Sequence, residues 1–348
     1  MFKPKYRITQ KLLANIKRIA ELTATANLKK PSKLVLVQME RSARAISSYS
    51  STSIEGNPLP LTEVKKILKS APKNIRDSEK EVLNYNNALE KLNEELIIKD
   101  TVFNLELVLS IQKEITTGLI EKHRCGKLRV EPVFVNDPRL KRPIYLPPDH
   151  QDGRKLINDL ILFVSKNRGF VDPLILAGIF HKQFVIIHPF IDGNGRTSRL
   201  ATKALLADMG LNTFNLFSFE NYYNKNVSKY FEKVGVFGNY YDIKDKIDFT
   251  EWLEYFTDGI IDELLRVGKE LEIAIKTPDI KLPEHLRKLL NYIEESGSIT
   301  NKEYSKTTKR SKASRNIDFA KLIKMGLIAK FDKGKNTYYK IKNNEKAF

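Results

Sequence analysis

The segment HPFIDGNGRTSR, residues 188–199, combines a histidine, a carboxylate, two glycines around an asparagine, and two arginines. Gly193 and Gly195 allow the backbone to approach a ligand closely, because they carry no side chain. A helix that begins here would direct unpaired N–H groups and its positive dipole end toward an anion. Arg196 and Arg199 are three residues apart, so they would share one face of that helix and suit more than one phosphate. The segment therefore predicts a polyphosphate-binding site.

Two further residues of the segment could act on such a ligand. Asp192 lies just before the glycines and offers the oxygen ligand that Mg²⁺ prefers when it also binds phosphates. His188 lies at the other end of the turn, and an imidazole can accept a proton from a hydroxyl near neutral pH. Together, these residue types are typical of a site for a triphosphate, a metal and a base.

Two helices are needed to hold this segment in place. Asp172 and Pro173 are a good N-cap and first-turn pair for a helix over residues 172–187. Pro189 and the glycines then interrupt the helix and force a loop. A second helix is expected to open at the residues GNGR and to run to about Met209.

The rest of the chain predicts a mainly α fold. Apolar residues at three- and four-residue steps predict further helices over residues 8–30, 33–49, 77–97, 103–118, 150–166, 218–235 and 249–276. The segment SSTSIEGNPLPLTEV, residues 50–64, predicts a helix end, a turn and a new helix from Thr62. The segments VEPVFV and PIYL flank the polar residues NDPRLK, which predicts a β-hairpin within residues 126–146.

A separate C-terminal module is predicted after the linker-like segment KTPDIKLP, residues 276–283. Its elements are expected to be helices over 284–295, from about Thr300 and over the basic stretch 311–326, followed by a hairpin within 327–341. This is the element order of a winged helix-turn-helix.

The composition is that of an ordinary soluble globular chain, with 348 residues of which 41% are hydrophobic and 29% charged. No apolar run approaches the ~18 residues of a membrane span and no signal peptide is visible, so we expect a cytoplasmic protein without a membrane partner. The single cysteine, Cys125, excludes an intrachain disulfide and a cysteine-rich zinc site. The net charge of +18 favours polyanions, and residues 282–348 alone hold 16 basic and 7 acidic residues.

Residues 188–199 match the signature HxFx(D/E)GNGRxxR at every specified position, so the chain resembles the Fic family. The resemblance implies transfer of AMP from ATP, with Mg²⁺, to a Ser, Thr or Tyr hydroxyl of a target protein. It also implies roles for the individual residues: His188 as general base, Asp192 as the Mg²⁺ ligand, Gly193, Asn194 and Gly195 as an anion hole, and Arg196 and Arg199 as ligands of the outer phosphates.

The resemblance extends to two other segments. The hairpin at residues 132–146 is similar to the family's flap, which positions the target segment by strand pairing, and YLPP (145–148) resembles the end of that flap. The segment NKNVSKYF, residues 224–231, resembles the family's adenine-side helix, which places Asn226 and Tyr230 near the base.

Two positions in the helix before the motif are also informative. Many relatives have a glutamate three residues before the motif histidine, whereas this chain has Val185, and we do not expect this difference to affect the chemistry. His181 fits the same helix and is expected to be a packed structural histidine rather than a catalyst.

An inhibitory element is implied further upstream. The residues Ser51-Thr-Ser-Ile-Glu55-Gly56 match (S/T)xxxE(G/N), the inhibitory motif of family members that carry it before the catalytic core. The resemblance implies that Glu55 pairs with Arg199 in place of the γ-phosphate, so that ATP binds only in a pose unfit for in-line attack. A change of oligomeric state, target binding or modification near Glu55 could release this inhibition.

On this basis we expect three parts of the chain. They are an N-terminal helical region over residues 1–100 with the inhibitory motif at 50–57, a Fic catalytic core over 101–275, and a winged helix-turn-helix over 282–348.

Alternatives for the core stay open. The enzyme could also, or instead, remove AMP, because some relatives use the same glutamate to orient a water. Other relatives transfer UMP, phosphocholine or phosphate, although the two-arginine motif favours a triphosphate in the AMP-donating orientation. A DNA-binding regulator with a nucleotide-sensing core is a further alternative, which the intact His188 disfavours. A metal-dependent nuclease would need another histidine after the motif, and only His285 follows.

Alternatives for the C-terminal module, residues 284–341, also stay open. The module could bind DNA, since four basic residues lie where a recognition helix would begin, namely Lys309, Arg310, Lys312 and Arg315. It could instead form a homodimer or dock a target, with these residues simply solvated. The chain could also be its own target.

Overall fold

The structure is a computed structural model of the chain, and it describes residues 2–29, 31, 33–70, 75–98, 103–137, 142–211, 215–276, 282–332, 334 and 337–341. The protein is mainly α-helical with a small β-hairpin, as the sequence predicts. It divides into two compact units, the first formed by Met1–Leu28 and Ser42–Gly268 and the second by Lys29–Arg41 and Lys269–Phe348. Within the described residues, no helix has the length and apolarity that a membrane crossing requires.

The elements up to residue 276 include helices and one small sheet. The helices are α1 (Gln10–Leu28), α2 (Lys33–Ile54), α3 (Leu61–Lys69), α4 (Asp77–Ile98), α5 (Leu105–Thr116), α6 (His150–Asn167), α7 (Pro173–Ile187), α8 (Asn194–Asp208), α9 (Glu220–Lys225), α10 (Val227–Val234), α11 (Tyr240–Ile243) and α12 (Thr250–Lys276). The strands are β1 (Val135–Asp137), β2 (Arg142–Leu146) and β3 (Gly238–Asn239), in the order β1-β2-β3.

Helix α7 lies at the centre of the first unit's core. Asp172 accepts a hydrogen bond from the Leu174 N–H at 2.8 Å and Pro173 occupies the first turn, so the helix begins as predicted. Nearly every side chain of α7 is buried, because α6, α8 and α12 all pack around it. At Gly178 the carbonyl accepts from the Trp252 indole at 2.7 Å, which brings α12 close to α7. This packing fixes the position at which α7 ends and the loop before α8 begins.

The predicted hairpin forms, and it is tied to the end of α7. β1 and β2 are antiparallel, with Val135 opposite Tyr145. Of the predicted turn NDPRLK, residues 136–141, Asn136 and Asp137 belong to β1 instead, and residues 138–141 lie outside the described part of the chain. The Tyr145 hydroxyl donates to the Ile186 carbonyl at 2.9 Å, so β2 is anchored two residues before the motif. The two-residue strand β3 pairs in parallel with β2, and it is too short to show a periodic pattern in sequence.

Two predicted helices differ from the structure by more than one or two residues at their ends. α2 continues to Ile54 rather than ending near residue 49, so Ser51 lies inside the helix. The single helix predicted over residues 218–235 is divided into α9 and α10, because the Asn226 side chain accepts from the Lys229 N–H at 3.0 Å and caps a new helix. A capping asparagine in the middle of a periodic pattern thus ends one helix and begins another.

The second unit has its own elements and core. It contains α13 (Glu284–Ser296), β4 (Ile299–Thr300), α14 (Asn301–Thr307), α15 (Lys312–Lys324), β5 (Ile328–Phe331) and β6 (Tyr338–Ile341), with strand order β4-β6-β5. Leu286, Ile293, Phe319 and Leu322 are fully or almost fully buried in this core. The three helices and the hairpin follow the predicted order, and the short strand β4 adds to the hairpin.

Candidate active site

The loop between α7 and α8 is held by its own asparagine. The Asn194 side chain accepts from the Phe190 N–H and donates to the Phe190 carbonyl, both at 2.9 Å. Gly193 has φ +80° and its α-carbon faces Thr116 and Ile115, so a side chain would be strained and crowded there. The Asn194 side chain therefore shapes the loop, and what it can offer an anion is its backbone N–H.

The N-terminus of α8 is an anion-binding position. Gly193 is the N-cap residue and supplies no side chain to the first turn, whose N–H groups and dipole favour a negative charge. A carboxylate lies there, since a methyl group added at Gly195 would overlap Glu55 Oε1 and lie 3.0 Å from Arg199 Nη1. The glycine is required by this close approach.

Arg199 is fully buried and binds the C-terminal part of α2. Its Nε donates to Ser51 Oγ at 2.8 Å, and its Nη2 donates to the Ser51 carbonyl at 2.8 Å and to Glu55 Oε1 at 2.7 Å. Burial is the largest single effect and lowers the pKa of Arg199, but Glu55, Tyr230 and Tyr85 together outweigh it, so the net effect raises this pKa. Ser51 and Glu55 are thus brought to Arg199 from about 145 residues earlier in the chain. Gly56 has φ +95° and makes the turn that ends this segment.

Arg196 has a different set of partners. Its Nη2 lies 2.9 Å from Asp192 Oδ2 and its Nη1 lies 2.7 Å from Glu81 Oε1. Glu81 comes from α4 and also accepts from the Asn57 side chain at 2.7 Å. The two motif arginines therefore begin on one face of α8 but are held by separate carboxylates. Glu81 lies in no recognised motif, so its role could not be read from the sequence.

His188 is oriented by the helix that precedes it. The residue has φ +50° and caps α7, and its Nδ1 lies 3.2 Å from the Val185 carbonyl. A carbonyl only accepts, so Nδ1 is assigned the proton and Nε2 is the basic nitrogen. Burial lowers the pKa of His188, against smaller opposing effects from Val185, Glu55 and Asp192, so the ring is neutral at pH 7. Because the contact uses the Val185 backbone, the residue type at 185 does not enter it.

The residues predicted near an adenine base occupy unequal positions. Asn226 is exposed and its side chain caps α10. Tyr230 is buried, with its hydroxyl 3.1 Å from His181 Nε2 and 3.4 Å from Arg199 Nη1. His181 is itself buried and bonded at Nδ1 to Thr202 at 3.1 Å, as expected of a packed histidine. Contact of Asn226 and Tyr230 with adenine stays a prediction.

Two side chains that sequence reasoning missed support the motif loop. Gln112 Nε2 donates to the Asp192 carbonyl at 3.2 Å, and its Oε1 accepts from the Gly126 N–H. Arg129 donates to the His188 carbonyl at 2.8 Å. Gln112 lies in a helix that also contains Glu106, Lys113 and Glu114, and neither Gln112 nor Arg129 belongs to a recognised motif, so no sequence signal singled them out.

Comparison with known proteins identifies the part of the chain that carries this site. Residues 102–206 match the family model described as Fic/DOC family. This part of the chain is similar to a Fic domain. It includes α5, the hairpin, α6, α7 and most of α8, and therefore the whole motif loop.

Curated relatives are similar to about half of this chain. A protein adenylyltransferase Fic of Nematostella vectensis is 32% identical over 168 residues, which is 47% of this chain and 37% of that protein. A protein adenylyltransferase Fic of Aedes aegypti is 30% identical over 182 residues, or 51% of this chain and 35% of that protein. The chain thus spans little more than a third of the length of these relatives.

Solved structures share the fold. A Fic family protein from Desulfovibrio desulfuricans G20 aligns over 98% of both chains with a TM-score of 0.65 at 18% identity. Fic-1 (aa134–508) from C. elegans aligns over 76% of this chain and 73% of that chain, with a TM-score of 0.59 at 20% identity.

Proposed function

We propose that the protein is a nucleotidyltransferase that moves AMP from ATP to a Ser, Thr or Tyr hydroxyl of a target protein. The observation that carries the proposal is the position of the Glu55 carboxylate, which packs directly against the Gly195 backbone and pairs with buried Arg199. The anion-binding position at the N-terminus of α8 is thus occupied by a carboxylate of the same chain. The names of the curated relatives, protein adenylyltransferases, support the same activity.

In this proposal His188 Nε2 takes the proton of the target hydroxyl. The hydroxyl oxygen then attacks the α-phosphorus of ATP, the bond between that phosphorus and the α–β bridging oxygen breaks, and pyrophosphate leaves. The lowered pKa of His188 keeps the imidazole neutral and able to accept the proton. Arg196, Arg199 and the α8 N–H groups would bind the phosphates and hold the leaving group.

Asp192 is the residue that would hold Mg²⁺. Its side chain is about half exposed, at 47%, and only its Oδ2 is used in the ion pair with Arg196. Within the described residues, no group of three His, Cys, Asp or Glu side chains converges as a ready-made metal cage. One carboxylate fits an ion that takes its other ligands from phosphates and water, and Mg²⁺ bound in that way neutralises phosphate charge.

We propose that Glu55 inhibits this activity in the resting protein. Arg199 donates its Nη2 to Glu55, and the same guanidinium edge cannot also bind the γ-phosphate. Ser51 accepts two further bonds, from Nε and from the same Nη2 that donates to Glu55, and these bonds keep the inhibitory segment in place. ATP would then bind with its phosphates displaced from the in-line pose.

The hairpin is the proposed docking place for the target, which includes other copies of the chain. β1 is at the edge of its sheet and pairs with β2 alone, so an extended segment could add to it. Phe134, just before β1, is 58% exposed and could bind an apolar side chain of the target. The cytoplasm stays the predicted location.

The test uses ATP labelled at the α- or the γ-phosphate, with Mg²⁺, and a gel to detect label on protein. Wild type, Glu55→Gly and Glu55→Gly/His188→Ala are compared, with UTP and GTP in parallel. α-Label that increases in Glu55→Gly and disappears with His188→Ala is the expected result. Transfer of the γ-label would show phosphorylation and refute AMP transfer. Transfer of label from UTP would mean that the donor is UTP rather than ATP.

The absence of label in every variant would contradict the forward reaction. Release of AMP from a pre-modified acceptor would then identify the reverse reaction. Unchanged nucleotide binding without either reaction would favour a sensor.

A second proposal concerns the C-terminal unit, which we propose is a winged helix that binds DNA. Lys306, Lys309 and Lys312 are exposed around the end of α14 and the start of α15. Two of the four basic residues predicted to contact DNA have internal partners instead. Arg310 pairs with buried Asp318, and Arg315 donates to Asn301 and to a backbone carbonyl. The exposed lysines are the remaining candidates for phosphate contacts.

The DNA proposal is tested by the salt dependence of duplex binding to the full chain. The logarithm of the affinity should fall linearly with the logarithm of salt concentration, and Lys309→Ala/Lys312→Ala should lower the slope by about two units. A flat response would refute DNA binding. A concentration-dependent dimer mass in sedimentation would then favour self-association of this unit.

A further inference from the structure

Arg129 is a buried arginine between the motif loop and the hairpin. It is 7% exposed, and it follows a stretch of turns after α5 rather than lying in a helix or strand. Sequence reasoning gave it no role.

The Arg129 guanidinium binds three backbone carbonyls from different segments. Its Nε donates to His188 at 2.8 Å, its Nη1 donates to Glu131 at 2.9 Å, and its Nη2 donates to Pro148. The Arg129 N–H also donates to the Pro189 carbonyl at 2.9 Å. His188 and Pro189 belong to the motif loop, whereas Glu131 and Pro148 lie just before and just after the hairpin.

The side chain has no carboxylate within ion-pair distance among the described residues. Burial lowers the pKa of Arg129, although a guanidinium stays charged. Burial of a charge is unfavourable unless strong hydrogen bonds offset it, so the three carbonyls account for the presence of the charge here. The planar fork of five N–H groups fixes the directions of these bonds, which the single ammonium of a lysine cannot do.

We propose that Arg129 is a positioning residue for group transfer, which sets the motif loop in register with the hairpin that receives the target. The inference rests on the proposed function. His188 must lie within hydrogen-bonding distance of the acceptor hydroxyl, and that hydroxyl belongs to a segment docked on β1. The loop and the hairpin are separate parts of the chain, and Arg129 joins both ends of the hairpin to the His188 backbone.

The position of His188 is thereby fixed twice. Its ring is oriented by the Val185 carbonyl, and its own carbonyl is held by Arg129 Nε. The Tyr145 hydroxyl bonded to Ile186 supports the same junction from within β2. A small displacement of a base from its acceptor is costly, since an error of about 1 Å lowers rates by ~10²-fold.

The experiment compares Arg129→Met and Arg129→Lys, both in the Glu55→Gly background. Arg124→Met is the matched control, because Arg124 lies in the same turn segment and pairs with Glu121 and Glu131. Arg129→Met is expected to slow transfer of α-label by about 10²-fold while ATP affinity changes by less than about threefold. Arg129→Lys should be intermediate, and Arg124→Met should match the background.

A pH profile distinguishes positioning from loss of structure. The positive charge of Arg129 lowers the pKa of His188, and in this background Asp192 acts on that pKa in the opposite direction. Arg129→Met should therefore move the acid limb of kcat/KM to higher pH, whereas Arg129→Lys should leave it near its original position. The proposal would be overturned if Arg129→Met lowered ATP binding and thermal stability along with transfer and left the acid limb of kcat/KM at its original pH.

Amide hydrogen exchange tests the bridge without any activity. In Arg129→Met, exchange should rise together at residues 142–148 and 186–190 and stay unchanged in α15. A rise in only one of these segments, or in neither, would refute the bridge even if transfer were lost. If Glu55→Gly itself transfers no label while exchange rises in both segments, the proposed function fails and the bridge stands.

Discussion

Removal of the Glu55 carboxylate should increase AMP transfer by about ten- to fortyfold. The pair joins fully buried Arg199 to a side chain that is 31% exposed, at 2.7 Å. A hydrogen bond between charged groups contributes about 1.5–3 kcal/mol net, and partial exposure of Glu55 favours the lower half of that range. At ~1.4 kcal/mol for each factor of ten, this free energy corresponds to the stated increase, provided that Glu55 and the γ-phosphate compete for one guanidinium.

The assay measures initial rates of α-label transfer at saturating ATP for wild type, Glu55→Gly and Glu55→Gln. Glu55→Gln keeps the shape but removes the charge, so it should give an intermediate rate. Glu121→Gly is the matched control, since Glu121 is an exposed turn residue paired with Arg124 at 2.6 Å and lies outside the site. It should transfer at the wild-type rate.

Equal rates in wild type and Glu55→Gly would refute the reasoning if both proteins bind ATP and Glu55→Gly transfers label. The ion pair would then be too weak to compete with the γ-phosphate. A lower rate in Glu55→Gly would be a stronger contradiction, because it would mean that Glu55 assists the forward reaction.

Three further predictions concern the same site. Because burial lowers the pKa of His188, kcat/KM should stay level from about pH 8 to about pH 6.5 and fall only at more acidic pH, and a fall beginning above pH 7 would contradict the assignment. Gly195→Ala in the Glu55→Gly background should weaken ATP binding by about tenfold, or ~1.4 kcal/mol, because the added methyl group would lie 3.0 Å from Arg199 Nη1. Titration calorimetry measures this affinity, and an unchanged value would mean that the phosphates bind elsewhere. Glu81→Gln should raise the Mg²⁺ concentration needed for half-maximal transfer by about three- to tenfold, because Arg196 would then bind Asp192 more strongly and compete with the ion. An unchanged Mg²⁺ concentration at half-maximal transfer would contradict the role of Asp192 as the metal ligand.

Most of the helices could be predicted because their signals are local. Apolar periodicity located α7 and α8, and Asp172 with Pro173 marked the start of α7. The hairpin was visible as two apolar runs around a polar turn. Errors occurred where one side chain overrides a periodic pattern, as Asn226 does between α9 and α10.

The sequence by itself determined the chemistry of the motif loop. The residues of the segment 188–199 are contiguous, so their types and spacing fix which groups meet at the start of α8. Even there, the tertiary structure decided how each group is used. The Asn194 side chain shapes the loop, and Arg196 and Arg199 are held by different carboxylates.

Only the tertiary structure brought the remaining partners together. Glu81 lies 115 residues before Arg196, and Arg129 lies 59 residues before His188. The physical reason is that a helix or turn is set by interactions over a few residues, whereas an ion pair or a bridge between loops is set by packing of the whole core. Glu55 could be paired with Arg199 beforehand only because it lies in a recognisable motif, and Arg129 lies in none.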